Sequence, residues 1–300
     1  MTPIVLAYSG GVSSSMAVRW LADTYATDIV TVSLDVGQRE DLGELRRRAL
    51  SCGARRAHVV DVRDELARAA FTGPLLRGTL GDGGCPRIDQ WPLPLIARAL
   101  LEIARIEGAR SVAHGSSDHA LDAAIAAIDP SAAVLAPSRG IAPADRTSVG
   151  YRIDENLWGR LVSWPRGDEA PSIVRPAATT STEHARLDIG VESGVPVSIN
   201  GVPMSPAELV ESLTLIAGRH GVGRFESSVD GRQVVCDAPA AVVLRTALAA
   251  AGESGVARLA VLNGTCALAP SHGSAFDFAQ AGTDMPSSPR DPEVELVNQA

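Results

Sequence analysis

Ile4-Val5-Leu6-Ala7-Tyr8-Ser9-Gly10-Gly11-Val12-Ser13-Ser14-Ser15 runs from a short apolar stretch through a glycine pair into a cluster of hydroxyls. The residues that follow, Met16 to Tyr25, place Val18, Leu21, Ala22 and Tyr25 at helical spacing. A buried strand, a Gly-Gly turn and a helix start make a good phosphate cradle. The glycines let the backbone approach an oxyanion, and the first turn of the helix offers N–H groups that the helix itself cannot pair. The same string also fits an ordinary strand-to-helix turn capped by serine. It is not a Walker loop, since no Gly-Lys-Ser/Thr follows. The neighbouring sequence has to decide between the two.

Working outward, Ile29 to Leu34 reads as a second strand ending at Asp35-Val36-Gly37-Gln38, and Leu42, Leu45, Ala49 and Cys52 mark a helix. Ala57 to Val60 is a third strand, Pro94 to Glu107 a helix stopped by Gly108, and Ser111 to Gly115 a strand with its loop. Ala120 to Ile128 is another helix and Ala133 to Ala136 another strand. Alternating strand and helix predicts an α/β fold with a doubly wound parallel sheet, helices on both faces, and ligands beyond the carboxyl ends of the strands. Three loops converge there: Ser9 to Ser15, Leu34 to Gln38, and His114 to Ser117.

The expected division is a nucleotide-binding domain over 1–140, a connecting segment over 141–186 with one firmer block at Tyr151–Arg160, and a smaller α+β domain over 187–279. The polar, Pro-rich residues 280–300 are expected to be disordered. In the second half, Val195 to Gly201 and Val256 to Leu268 read as hairpins, and Pro206 to Ala217 and Ala240 to Ala250 as helices. With 45% hydrophobic residues, 21% charged and a formal net charge of −8, the 300-residue chain has the composition of a soluble protein with a full aliphatic core. That charge argues against nucleic acid as partner, and no apolar run is long enough for a membrane span, so the expected setting is the cytoplasm. The four cysteines form no CxxC pair, so no metal site and no disulfide framework are assigned. The Arg46-Arg47-Arg48 run reads as a solvated helix face. His114 is read as a packed or hydrogen-bonded residue with general-base chemistry as the alternative, and His220 as a helix C-terminus.

An ordered series of motifs carries a further reading. Ala7-Tyr8-Ser9-Gly10-Gly11, Asp35-Val36-Gly37-Gln38 with Glu40-Asp41, Pro94 to Ala97, Ala113-His114-Gly115, Ala136-Pro137 with Arg139, and Ile153 to Arg160 are followed by Gly194 to Gly201, His220 to Arg224 and Ala238-Pro239-Ala240. In this order they resemble argininosuccinate synthases. The resemblance implies an adenine nucleotide alpha hydrolase-like, ATP-pyrophosphatase domain followed by a synthetase domain, with ATP and Mg2+ as cofactors. It also implies a ligase that adenylates a carbonyl oxygen, releases pyrophosphate, and lets an aspartate-like amine displace AMP. Carried over by position, Ala7, Tyr8, Ser9, Gly10, Gly11, Ser13, Ser14 and Ser15 hold the phosphates, and Leu34, Gly115 and Ser116 border the nucleotide. Ser9 and Asp122 are the catalytic candidates. Ser117 and Asp122 meet the amine donor, and Gln38, Cys85, Asp89, Gln90, Leu121, Arg152 and Cys236 face the substrates.

The departures from the pattern are equally specific. Ser13 stands where the family carries an aspartate. In the pocket that the family uses for citrulline, Cys85 and Cys236 replace tyrosines, and Gln90, Arg152 and Leu161 replace serines. Leu121 replaces an asparagine, and Leu93 and Ile125 replace arginines. Replacing an arginine by Ile125 removes a bidentate carboxylate clamp. The expected function is therefore a ligase of this type with an acceptor other than citrulline, from specialised metabolism. The alternatives are a divergent genuine argininosuccinate synthase, a catalytically silent nucleotide-binding homologue, and sulfur transfer through cysteine. The family's long C-terminal helix has no counterpart in 280–300, so a homodimer is expected, with a tetramer as the alternative.

Overall fold

A computed structural model describes residues 2–73, 75, 85–116, 119–137, 150–174, 184–229 and 231–269. Five strands, β1 (Ile4–Ala7), β2 (Ile29–Asp35), β3 (Arg56–Asp61), β4 (Ser111–His114) and β5 (Ala133–Leu135), form one sheet in the order β3-β2-β1-β4-β5. Every pairing in it is parallel. The connecting helices are α1 (Val12–Tyr25), α2 (Leu42–Ser51), α3 (Arg63–Thr72), α4 (Leu93–Glu107) and α5 (Ala120–Ile128).

The two-residue period of β1 explains why the sheet is wound on both sides. Ile4 and Leu6 pack with Ala17, Val18, Leu21, Leu45 and Ala49 from α1 and α2, whereas Val5 packs with Ala97, Leu100, Ile103 and Ile125 from α4 and α5. A strand with both faces covered must be apolar throughout, as Ile4-Val5-Leu6 is. Each such side chain, fully buried, contributes roughly 1.5–3 kcal/mol. The chain proceeds outward from β1 to β3, then returns so that β4 pairs on the other side of β1. That reversal opens a crevice at the carboxyl ends of β1 and β4.

The second half is antiparallel. The hairpin β6 (Arg152–Asn156) and β7 (Gly159–Pro165) pairs with β12 (Arg232–Asp237), which pairs with β11 (Arg224–Val229). A second sheet has the order β10 (Val202–Pro203), β9 (Val195–Ile199), β8 (Ala185–Glu192), β13 (Gly255–Leu262), β14 (Thr265–Leu268). Helices α6 (Pro206–Arg219) and α7 (Pro239–Ala251) complete it. One apolar core runs from Leu66, Ala70 and Phe71 of α3 through Trp158 and Leu161 to Leu187, Leu209, Leu213 and Leu244.

Two features depart from the reading of the sequence. Residues 152–165, expected within a connecting segment, are a hairpin whose outer partner β12 lies about seventy residues away in the chain, a pairing with no local signature. Helix α3 was not anticipated, although Leu66, Ala67, Ala70 and Phe71 have helical spacing and all four are buried. The expected disordered stretch 280–300 lies outside the described residues.

Candidate active site

The glycine–serine loop sits at the carboxyl end of β1, where Ala7 is in register with Val32 of β2 and His114 of β4. Tyr8 closes the strand: its N–H donates to the Val32 carbonyl (2.9 Å), and its own carbonyl accepts from Ser33 Oγ (2.8 Å). Its ring is buried in the core beneath α1 and α2, and its hydroxyl meets Ser15 Oγ at 2.9 Å. Burial pushes the Tyr8 phenol up, partly offset by that hydrogen bond. Tyr8 therefore shapes the loop from below.

Gly10 has φ of +75°, and a Cβ there would overlap Leu45 Cδ1. Gly11 is the N-cap of α1 and supplies no side-chain cap, and the first turn carries no acidic residue. Those first-turn amides have no acceptor within the helix and point their partial positive charge into the crevice. Ser14 Oγ is turned back onto the Gly11 carbonyl at 3.0 Å, and Ser9 Oγ contacts Ser14 Oγ at 3.4 Å. Ser13 and Ser9 are exposed at the loop. A Cβ on Gly115 would lie 3.9 Å from the Ser14 backbone, so the loop after β4 passes directly beside the helix start.

Arg48, expected on a solvated face, turns inward instead. Its Nη1 donates to the Gly10 carbonyl and to Glu40 Oε1, both at 2.9 Å. Arg46 and Arg47 do remain exposed. The signal was present in the periodicity, because Arg48 lies beside the buried Leu45–Ala49 stripe and Arg47 lies opposite it.

Across the crevice, the loop after β2 is closed by its own side chains. Gln38 accepts from the Val36 N–H and donates to the Leu34 carbonyl, both at 2.9 Å, and Asp35 Oδ1 accepts from the Gly37 N–H at 2.9 Å. Leu34 is half-buried at the edge of the core. Gly37, at φ +85°, lies against the β6–β7 turn: an added Cβ would stand 2.8 Å from Leu157 Cα. Leu157 N–H donates to the Val36 carbonyl, and Asn156 Nδ2 to the Ile88 carbonyl at 2.7 Å. The turn thus ties the loop after β2 to the segment 85–92.

At the end of β4, His114 is buried and Asp122 sits in the first turn of the following helix. His114 Nε2 is 3.0 Å from Asp122 Oδ1, and His114 Nδ1 accepts from the Ser116 N–H at 3.2 Å. Exposed His119 places Nδ1 3.2 Å from the other oxygen, Asp122 Oδ2. His114 is thus the hydrogen-bonded residue that the sequence suggested, and His119 is a neighbour that the sequence gave no reason to single out. Ser117 lies outside the described residues.

The remaining substrate-facing candidates occupy other surroundings. Leu121 and Ile125 are 5% and 0% exposed and pack against α4, so their face of α5 belongs to the core, whereas Asp122 lies on another face, against His114. Asp89 is held by both Arg87 Nε and Nη2 (3.1 and 3.0 Å), and Arg152 pairs with Asp154 at 2.8 Å. Gln90 is exposed. Cys85 and Cys236 are buried side by side, their Sγ atoms 3.7 and 3.9 Å from the same Pro86 carbonyl oxygen. The contact with Cys85, together with burial, pushes the Cys236 thiol up and keeps it protonated at neutral pH.

Among the described residues no three carboxylate, thiol or imidazole groups converge as a metal site, and Ser13 offers no carboxylate at the loop. These residues do not by themselves fit a resident magnesium ion. Nor is any helix among them long and apolar enough to cross a membrane.

A family model described as the arginosuccinate synthase N-terminal HUP domain matches residues 3–157, and one described as the arginosuccinate synthase C-terminal domain matches residues 151–254. The chain is 34% identical over 276 residues to argininosuccinate synthase from Dehalococcoides mccartyi, covering 80% of this chain and 68% of that protein. It is 36% identical over 281 residues to argininosuccinate synthase from Streptococcus suis, covering 81% and 70%. Among solved structures, NAD+ synthetase from Burkholderia pseudomallei shares 25% identity over 39% of this chain and 45% of that one, with a TM-score of 0.26.

Proposed function

Given that this chain belongs to the argininosuccinate synthase family, we propose that it is an ATP-dependent, AMP-forming carbon–nitrogen ligase that joins an aspartate-like amine to a carbonyl acceptor other than citrulline. In the first step the acceptor's carbonyl oxygen attacks the α-phosphorus of ATP, the bond to the β-phosphate oxygen breaks, and pyrophosphate leaves. In the second the donor's ammonium group gives up a proton to solvent, the free amine attacks the activated carbon and loses a second proton to solvent, and AMP departs with the former carbonyl oxygen. The protein's task is positioning and charge stabilisation.

The observation that carries this reading is the uncapped start of α1 behind Ser9-Gly10-Gly11, set where the sheet reverses direction. Its free amides suit the growing negative charge on the departing pyrophosphate. Ser9, at the mouth of the loop, adds a hydroxyl donor. Magnesium enters with ATP as its phosphate complex, which suits an ion that keeps most of its water and few protein ligands. Asp122, in the first turn of α5 beside the same crevice, receives the amine as an ammonium group.

The change of acceptor rests on the side chains opposite. Citrulline would present a carboxylate and an ammonium group, yet Ile125 is a core residue, and Arg152 and Asp89 already hold partners. A genuine argininosuccinate synthase remains the rival reading, favoured by the 34–36% identity to proteins of that name. Pyrophosphate and AMP formation, measured with ATP and magnesium over a panel of ureido, amide and carboxylate acceptors with and without aspartate, separates the two. Aspartate-dependent turnover with a non-citrulline acceptor is the expected result. Turnover with citrulline would overturn the acceptor assignment. ATP binding without turnover on any acceptor would point to a silent site, for which Ser13→Asp is the discriminating variant.

A further inference from the structure

Asp122 is bracketed by two imidazoles in very different surroundings. His114 is 1% exposed and His119 is 81% exposed. The Ser116 backbone N–H can only donate, so His114 Nδ1 acts as the acceptor and the ring's proton lies on Nε2, aimed at Asp122 Oδ1. Breaking this contact would leave a ring N–H buried without a partner, whereas breaking the His119 contact returns an imidazole to water at little cost. Of the two imidazoles on this carboxylate, His114 is therefore the fixed donor and His119 the exchangeable one.

Resting on the reading that Asp122 receives the amine, we propose that His114 is the positioning residue that holds the Asp122 carboxylate for the donor's ammonium group, and that His119 is a placeholder which the ammonium displaces. An ammonium brings three donors and a full charge to the oxygen that His119 occupies, and charge-assisted hydrogen bonds are about twice as strong as neutral ones. The two histidines then act with opposite sign on amine binding. His114 supports it, and His119 competes with it. A purely structural role for both would weaken binding in both cases.

The experiment is calorimetric titration of L-aspartate into the full chain saturated with a non-hydrolysable ATP analogue. His114→Ala should weaken binding roughly tenfold, the equivalent of about 1.4 kcal/mol. His114→Gln, whose amide can reach Asp122, should stay within about threefold of wild type, while the shorter His114→Asn should resemble the alanine variant. His119→Ala should bind as tightly as wild type or up to about fivefold tighter, because a competitor is gone. If His114→Ala fails to fold, the Gln and Asn pair decides the question. Equal affinity of the Gln and Asn variants, or weakened binding in His119→Ala, overturns the proposal. Asp122→Asn separates it from the underlying reading: unchanged aspartate binding there defeats the assignment of Asp122 itself. Loss there with unchanged His114→Asn defeats only the positioning role. No binding by the wild-type chain defeats both.

Discussion

Gly10 combines a left-handed backbone with direct contact against Leu45, so both its conformation and its missing side chain are required. Gly10→Ala should cost roughly 2 kcal/mol of stability and raise the KM for ATP, since strain at such positions amounts to about 1–3 kcal/mol. Thermal unfolding and initial-rate kinetics on the same preparation check both parts. Arg48→Met removes the donor that fixes the Gly10 carbonyl. It should raise the KM for ATP by roughly tenfold, about 1.4 kcal/mol, with little change in far-UV circular dichroism. The thiols offer a separate test of burial. Cys52 and Cys266 are partly exposed, and burial pushes Cys266 up to about 11, while Cys85 and Cys236 are enclosed. A thiol reagent at neutral pH should label Cys52 fast, Cys266 slowly, and Cys85 with Cys236 only on denaturation. Rapid native labelling of Cys236 would contradict the packing described.

At the scale of elements, the junction between α3 and α6 shows one helix completing another. Helix α6 opens with its own capping box, Ser205 with Glu208, and also receives Asp64 Oδ1 of α3 on the Ala207 N–H at 2.9 Å. Asp64→Ala should therefore destabilise the protein by about 1 kcal/mol, the usual worth of a cap, seen as a lowered midpoint in urea. Next to it, Arg63 joins Asp61, Asp35 and Glu211 across the same junction. The hydrogen bond from Arg63 holds the Asp61 carboxyl below the ordinary carboxylate range. A depressed carboxylate contributes stability above its unfolded-state pKa and loses it as pH falls through the folded value. Arg63→Met should accordingly flatten the acid limb of the stability profile. The effect should be small, because Asp61 is mostly exposed and Arg63 partly so. Helix α3 went unread although it is as long as α2, and its apolar face covers a partner far along the chain.

At the scale of the whole molecule, the Asn156-Leu157-Trp158 turn joins the parallel sheet to the antiparallel half. Asn156 accepts from the Trp158 N–H and donates to Ile88, Leu157 reaches Val36, and the Trp158 ring lies edge-on to Phe71 and Trp91. Asn156→Ala would leave a buried N–H and a buried carbonyl without partners, a loss of roughly 3 kcal/mol. Two separated transitions in a calorimetric scan, where wild type shows one, would identify this turn as the coupling between the halves. A single transition at the wild-type temperature would show that the apolar core alone couples them.

The strand-and-helix alternation of the first half was legible because both signals are local: a short apolar run marks a strand buried on two faces, and helical spacing after a glycine pair marks the start of α1. The resemblance carried by Ser9-Gly10-Gly11, His114-Gly115 and the Ile153–Arg160 block extended that reading to the family. What the sequence left open depends on contacts between distant residues. Only the tertiary structure turned Arg48 onto the Gly10 carbonyl, paired β7 with β12, and buried Leu121 and Ile125 while setting Asp122 against His114. It also brought Cys85 within reach of Cys236, and set His114 and His119 on the two oxygens of one carboxylate. A helix has several faces, and which one meets the core and which the substrate is fixed by what packs against it.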